Sequence, residues 1–228
     1  MDHQWDFLSV FANKNLLLIG LQNTIILGVI CLTLGLFFGI FVGAARYSRN
    51  PLFYWPSTAF VEIFRNTPVL VQIVWFFFAF PIVSPFEINA FTAATLGLTL
   101  NTTAFSSEIY RAGIQSIERS QWEAAKALGM SYLEQMRRVI MPQAVKRMIP
   151  AFMNRAVELM KMTSLASVIA YGELMHQAKT ISTIAFNPIE MYTAVALMFF
   201  AMIFPVAMLV QRFEKIWLQK AETKCLKF

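Results

Sequence analysis

Ser120–Ala144 reads S-Q-W-E-A-A-K-A-L-G-M-S-Y-L-E-Q-M-R-R-V-I-M-P-Q-A, the one long polar island between hydrophobic blocks. Ser120 and Glu123 have the spacing at which a hydroxyl caps a helix's free N–H groups while the carboxylate reaches back to the cap. A short helix is expected to start there. Gly129 can take the left-handed backbone that ends a helix at little cost, and Ser131 with Glu134 repeats the capping spacing immediately afterwards. The prediction is helix, glycine corner, helix. The first helix, about two turns long, carries Trp122, Ala125 and Leu128 at helical spacing with nothing local to bury them. Such a face fits a groove on another protein, or lies as an amphipathic connector on a bilayer surface.

The chain on either side is membrane-like. Of 228 residues, 57% are hydrophobic and only 14% charged, and combined with long apolar runs this indicates one integral membrane domain, residues 1–228, rather than a soluble core. The net charge of +6 is accounted for by cytoplasmic loops beside anionic lipid, so no nucleic-acid partner is required. Cys31 lies in the first apolar block and Cys225 in the tail, which gives neither a disulfide framework nor metal-ligand spacing. Asp2 and Asp6 stand where a signal peptide would be basic, and the apolar block that follows is too long for one, so it is read as a retained span.

Five spans are expected, at about 16–45, 57–80, 90–110, 148–171 and 189–210, with a cytoplasmic loop over 111–147. Before them, Trp5, Phe7 and Phe11 suit a short interfacial helix, or equally a frayed terminus. Within the first span Gly28, Gly35, Gly39 and Gly43 share a face and allow a close helix neighbour, in this chain or another. In the second, Glu62 and Arg65 can neutralise each other, and Pro68 should kink the helix or open it locally. The third holds Asn101, Thr102, Thr103, Ser106, Ser107 and Glu108, a polar density that must face inward. The fourth holds Arg155, Glu158 and Lys161, the last two at membrane depth, where charge faces a partner or a wet cavity. Between the fourth and fifth, Glu173–Ile184 is expected to form a short external helix.

Basic residues set the orientation. The expected outside segments near Lys14 and Lys179 carry one each, against seven in the 111–147 loop and five in the tail. The N-terminus is therefore expected outside and the C-terminus in the cytoplasm.

Catalytic signatures are lacking. No G-x-x-x-x-G-K-[ST] phosphate loop occurs, so energy must come from a partner. His3 and His176 join no Cys or carboxylate cluster and are expected at polar surface positions, so no metal site is expected. No G-x-S-x-G elbow or Ser/His/Asp set is present, and the chain is expected not to be an enzyme.

Glu123-Ala124-Ala125, then Gly129, Ile140, Pro142 and Ala144, resemble in order and spacing the EAA loop of ABC importer permeases. V-E-I-F-R-N-T-P-V-L-V-Q (Val61–Gln72), E-I-Y-R-A-G-I-Q-S-I (Glu108–Ile117) and L-M-K-M-T-S-L (Leu159–Leu165) resemble its polar amino acid branch, and the likeness runs through nearly the whole chain. The resemblance implies an all-α integral membrane fold of ABC type I importer permeases, with five transmembrane helices and a cytoplasmic helix-Gly-helix coupling loop. It implies that the loop docks on an ATPase, with Trp122, Glu123, Ala124, Ala125, Leu128, Gly129 and Pro142 as the coupling residues. The implied partners are two ATPase subunits carrying ATP and Mg, a second permease, identical or homologous, and an external amino-acid-binding protein, all at a bacterial plasma (inner) membrane.

Asn101, Thr102, Thr103 and Glu108, with Glu158, Lys161, Met162, Thr163 and Ser164, are the candidate substrate pathway; alternatively they serve as interhelical hydrogen-bonding groups. Family members often read K-D-T-S-L where this chain has K-M-T-S-L. Met162 supplies no carboxylate, and Lys161 is close enough to occupy Glu158, so an acidic or amide-bearing substrate is favoured over a cationic one. A competing expectation is an ion-coupled secondary amino acid transporter using Glu158 and Lys161, which leaves the exposed loop helix unexplained. A third, a purely structural subunit of a membrane complex, predicts no solute flux.

Overall fold

The computed structural model describes residues 7–48 and 50–225, with side chains through Val210 and at Arg212. His3, Trp5 and the basic side chains of the tail beyond Arg212 lie outside the described residues. Every regular element among the described residues is helical.

A short α1 (Leu8–Ala12) leads into α2 (Lys14–Tyr47), which has no charge from Leu16 to Ala45. The polar stretch ends at Asn50, whose side-chain oxygen accepts from Leu52 N at 3.0 Å and, with Pro51 at the first helical position, starts α3 (Pro51–Asn66). The second expected span is not one helix. Thr67 is extended, as the residue before a proline prefers, and α4 (Val69–Val74) leaves α3 at an angle of 104°. Of the two outcomes expected at Pro68, a kink or a local opening, the structure takes the second: the helix is interrupted and the segment divides into two helices of different direction. The second half continues through a π turn (Trp75–Ala79) into α5 (Phe80–Val83).

Asn89 caps α6 (Ala90–Gln115), accepting from Thr92 N at 2.8 Å. The polar island forms α7 (Arg119–Ala127), α8 (Tyr132–Glu134) and a second π turn (Gln135–Ile140), which runs directly into α9 (Met141–Met162). A 3-10 segment (Thr163–Ile169) ends in left-handed Ala170, and α10 (Leu174–Ala185) and α11 (Pro188–Cys225) complete the chain.

Both π turns stop two residues before a proline, Pro81 and Pro142. A proline has no N–H for the carbonyl four residues back and its ring crowds that carbonyl; widening the preceding turn by one residue relieves both problems.

The core is built on α2 and α6. Gly35, Gly39 and Gly43 face Thr102, Ser106 and Ser107, and a Cβ added at Gly39 would stand 2.6 Å from Ser106 Cβ. The glycine face therefore packs within the chain, with backbones too close for any side chain. Beside it Leu27, Cys31, Ile73, Leu98, Leu159 and Ile169 form the main apolar cluster. Among the described residues, α2 and the Pro188–Val210 part of α11 are long and apolar enough to cross a membrane, and the bent α3–α5 pair is a third if counted as one. The α6 and α9 helices are too polar to register by composition; α6 turns its hydroxyls onto the α2 glycines and its Asn101 onto Arg155 of α9.

Candidate functional site

Two sites emerge, one at the polar island and one between α3, α6 and α9. At the island the corner forms as expected: Gly129 has φ +73°, and Met130 N reaches back to Ala125 O at 3.2 Å. The capping box at Ser131 and Glu134 is complete, with Glu134 Oε2 accepting from Ser131 N at 3.0 Å. The backbone N–H and hydroxyl of Ser131 hold the Glu134 carboxyl below its ordinary pKa.

The expected cap at Ser120 does not form. Glu118 occupies the cap position, Ser120 donates to Glu118 Oε2 at 3.3 Å, and Glu123 is taken by Arg119 at 2.9 Å. A cation one turn earlier on the same face draws the carboxylate that the box needed.

The face of α7 is also divided more finely than expected. Ala125 is 2% exposed, and Trp122 packs on the cluster of Ile117, Ile140, Ala144 and Met148 and stacks on Tyr132. Trp122 anchors the loop on the ends of α6 and α9, helped by Gln143 Nε2 donating to Gln121 Oε1 at 3.2 Å and by Arg147 donating to Ser116 O. Leu128, at 77% exposed, is the projecting knob, with Tyr132 and Leu133 beside it and Glu123 and Ala124 open to solvent. Pro142 is also exposed and produces the π turn that joins this loop to α9.

The second site starts at the α3–α4 break. Gln72 Nε2 donates to both Phe64 O and Thr67 O at 2.9 Å, and Asn101 Nδ2 donates to Phe64 O at 2.8 Å. Asn101 Oδ1 accepts from Arg155 Nη2 at 2.6 Å, and Thr102 Oγ1 lies 3.3 Å from the same nitrogen. Arg155, only 3% exposed, also pairs with Glu158 at 2.9 Å and stacks 4.3 Å over the Phe105 ring. The Glu158–Lys161 pair expected from spacing is thus replaced by Arg155–Glu158. Lys161 points elsewhere and is exposed, lining an open groove of about 460 Å³ with Ser164, Phe199, Phe200, Ile203, Phe204 and Ala207.

Glu62 does not neutralise Arg65 either: it accepts from Asn66 at 2.9 Å, while Arg65 lies 3.3 Å from Glu108. Glu108 also carries Arg46 and, at 2.7 Å, Arg111. Three guanidiniums on one carboxylate bind the ends of α2, α3 and α6 together. Thr102, Thr103 and Thr163 are buried among helices, Met162 packs against the main apolar cluster, and Ser164 donates to Lys161 O at 2.8 Å. Of the candidate pathway residues, Asn101, Thr102 and Glu158 converge on Arg155, and Lys161 and Ser164 share the open groove. His176 is half-buried rather than on the surface, with Nδ1 enclosed and unpartnered. Among the described residues no His, Cys, Asp and Glu group could hold a metal ion. Arg155 and Gln72 are the members of the site that spacing left unassigned; a lone amide four residues beyond Pro68 in an apolar run was the available signal for Gln72.

A helical bundle with a divided helix in its core and a solvent-facing helix-Gly-helix loop anchored on two of its helix ends defines a membrane permease component. The chain belongs to the family of binding-protein-dependent transport system inner membrane components, whose pattern matches residues 35–217. It is 36% identical over 217 residues to the "Probable glutamine ABC transporter permease protein GlnP" of Bacillus subtilis (strain 168), covering 92% of this chain and 98% of that one. It is also 36% identical over 182 residues, 80% of each chain, to the "Probable amino-acid ABC transporter permease protein YckA" of the same strain. A solved structure titled "Crystal structure of an amino acid ABC transporter with histidines" superposes with a TM-score of 0.89 at 33% identity, covering 93% of this chain and 99% of that one.

Proposed function

We propose that this chain is the membrane-spanning permease subunit of an ATP-driven importer for a polar amino acid, energised by a separate ATPase that docks on the 111–147 loop. The observation that carries this reading is the anchored loop itself. Trp122 packs on the ends of α6 and α9 and Ala125 is buried, while Leu128, Tyr132 and Leu133 are exposed, so a partner pressing on the knob moves the helix ends directly. The names of the relatives, amino-acid and glutamine permeases, supply the substrate class.

The proposed assembly pairs the chain with a second permease, two ATPase subunits that hold ATP and Mg, and an external binding protein, in a bacterial inner membrane. Five spans with the N-terminus outside fit the expected charge asymmetry. An acidic or amide-bearing substrate is favoured over a cationic one: Met162 offers no carboxylate, and Glu158 is already engaged by Arg155.

Tagged chain purified in mild detergent should bring an ATPase with it. In liposomes the complex should import glutamine, glutamate or aspartate only with ATP inside the ATPase compartment. Uptake driven by an ion gradient with this chain alone would overturn the proposal, and preferred import of arginine or lysine by a homodimer of this chain would overturn the substrate assignment.

A further inference from the structure

Dividing a helix strands the carbonyls at the end of its first half, and inside a bundle these must be answered by side chains. Here the answer is a relay. Phe64 O accepts from Gln72 and from Asn101, Asn101 accepts from Arg155, and Arg155 reaches Glu158. The Phe105 ring holds the guanidinium from one side at 4.3 Å and has Arg65 of α3 at 5.3 Å. Four helices, α3, α4, α6 and α9, therefore meet in one polar chain. The last of them is continuous in backbone with the loop that carries Leu128, through the π turn at Gln135–Ile140.

Two buried atoms of this relay lack a partner, the Arg155 Nε donor and the Gln72 Oε1 acceptor. A buried network that leaves both a donor and an acceptor unused has a further bonding arrangement open to it, whereas a fully satisfied one is rigid. The relay thus joins the element that a docked partner would move to the element with the sharpest bend, and it does so with spare bonding capacity.

We propose that Arg155, Asn101 and Gln72 are positioning residues of the transport cycle: they latch α9 to the freed carbonyls of α3, so that displacement of α9 by the loop changes the α3–α4 angle. This rests on the permease reading above. The latch acts by transmitting motion from α9 to α3. Glu158 at 50% exposed anchors its open end, and Arg155 inside the bundle carries the connection.

The test uses the complex of this chain with its ATPase and binding protein in liposomes. Spin labels at Ile63→Cys and Val71→Cys, both exposed, flank the break, with Cys225→Ser removing a native thiol. In the parent complex the label distance should differ between the nucleotide-free and ATP-trapped states. Asn101→Leu removes the acceptor for Arg155 and the donor to Phe64 O together. It should abolish the nucleotide-dependent distance change and lower amino acid imported per ATP hydrolysed about tenfold, the scale of one lost charge-assisted hydrogen bond. Arg155→Lys keeps the charge but loses the planar fork and should show the same effect in weaker form; with Gln72→Leu it carries the test if Asn101→Leu does not assemble.

A parent complex with no distance change, or variants that retain both the change and the import-to-hydrolysis ratio, would overturn the latch. ATP hydrolysis without import in the parent complex would instead remove the proposed function, and the label distances would still decide whether the relay responds to nucleotide.

Discussion

Gly129 sits at φ +73° with no atom within 4 Å of where a Cβ would stand. Within this chain, a substitution there meets backbone strain rather than collision. Gly129→Val should cost on the order of 1–2 kcal/mol of corner stability and lower substrate-stimulated ATPase activity, while membrane insertion persists. Gly129→Asn, which tolerates the left-handed region, should retain most of the activity. Equal loss in both variants would remove strain as the cause.

Glu173 makes a second prediction at this scale. Its buried carboxylate caps α10, accepting from Met175 N at 2.9 Å and His176 N at 2.7 Å. Burial pushes its pKa from the ordinary 4.5 up to about 7, against the two backbone donors that pull it down. Because the folded pKa is the higher one, its contribution to stability is fully present below about 4.5 and is lost as pH rises through about 7. The melting temperature of the detergent-solubilised protein should fall over that window, and Glu173→Gln should flatten the fall; an unchanged profile in the variant would exclude Glu173 as its source.

At the scale of elements, sequence spacing read the corner and missed the pairings. The left-handed glycine and the Ser131–Glu134 box depend on neighbours a few residues away, so their spacing determines them. Glu123, Glu62 and Glu158 each took a different partner from the one supposed, because a carboxylate's partner depends on every cation the fold brings near. Arg46 meets Glu108 across 62 positions, and no local spacing shows that.

The same contrast holds for prolines. Pro68 announced an irregularity, but a kink and a 104° break share one sequence signature, and the carbonyl partners that permit the break come from α4 and α6. Pro142 makes the π turn testable: Pro142→Ala restores an N–H, so the turn should relax to an α-helix and rotate the loop by about 100° relative to α9. Coupled transport should fall while the complex still assembles, and full retention of transport would show that the wide turn has no coupling role. Gly39→Leu, by contrast, should separate α2 from α6 and destabilise the chain by several kcal/mol, on the order of an overpacked core or worse, read as loss of folded protein in detergent.

For the whole molecule, the stretches read as spans are helical, and among the described residues α2 and the Pro188–Val210 part of α11 are the ones long and apolar enough to cross a membrane as single helices. The spans expected at 16–45, 90–110 and 189–210 lie within α2, α6 and α11, and the fourth corresponds to α9 plus its 3-10 extension. The polar face of the third helix looks inward, as its density of hydroxyls and amides requires. Thr102, Ser106 and Ser107 are buried against the glycines of α2, where small side chains permit close approach, and Ser107 donates to Ala104 O at 2.8 Å.

The orientation of that bundle yields the last prediction. Leu128 and Phe186 are both strongly exposed, the first on the basic 111–147 loop and the second just beyond α10, where Lys179 is the lone basic residue of its segment. Basic loops stay on the cytoplasmic side, so these two positions should lie on opposite faces of the membrane. In a Cys225→Ser background, with Cys31 buried and protected, single cysteines at Leu128 and Phe186 can be treated with a membrane-impermeant maleimide. Phe186→Cys should react in intact cells whose outer barrier has been removed, and Leu128→Cys only after the inner membrane is opened. Assembly with the ATPase should then protect Leu128→Cys, because the knob is the docking surface, and leave Phe186→Cys reactive. Labelling in the reverse order would invert the topology and place the loop where no ATPase could reach it, removing the basis of the proposed function.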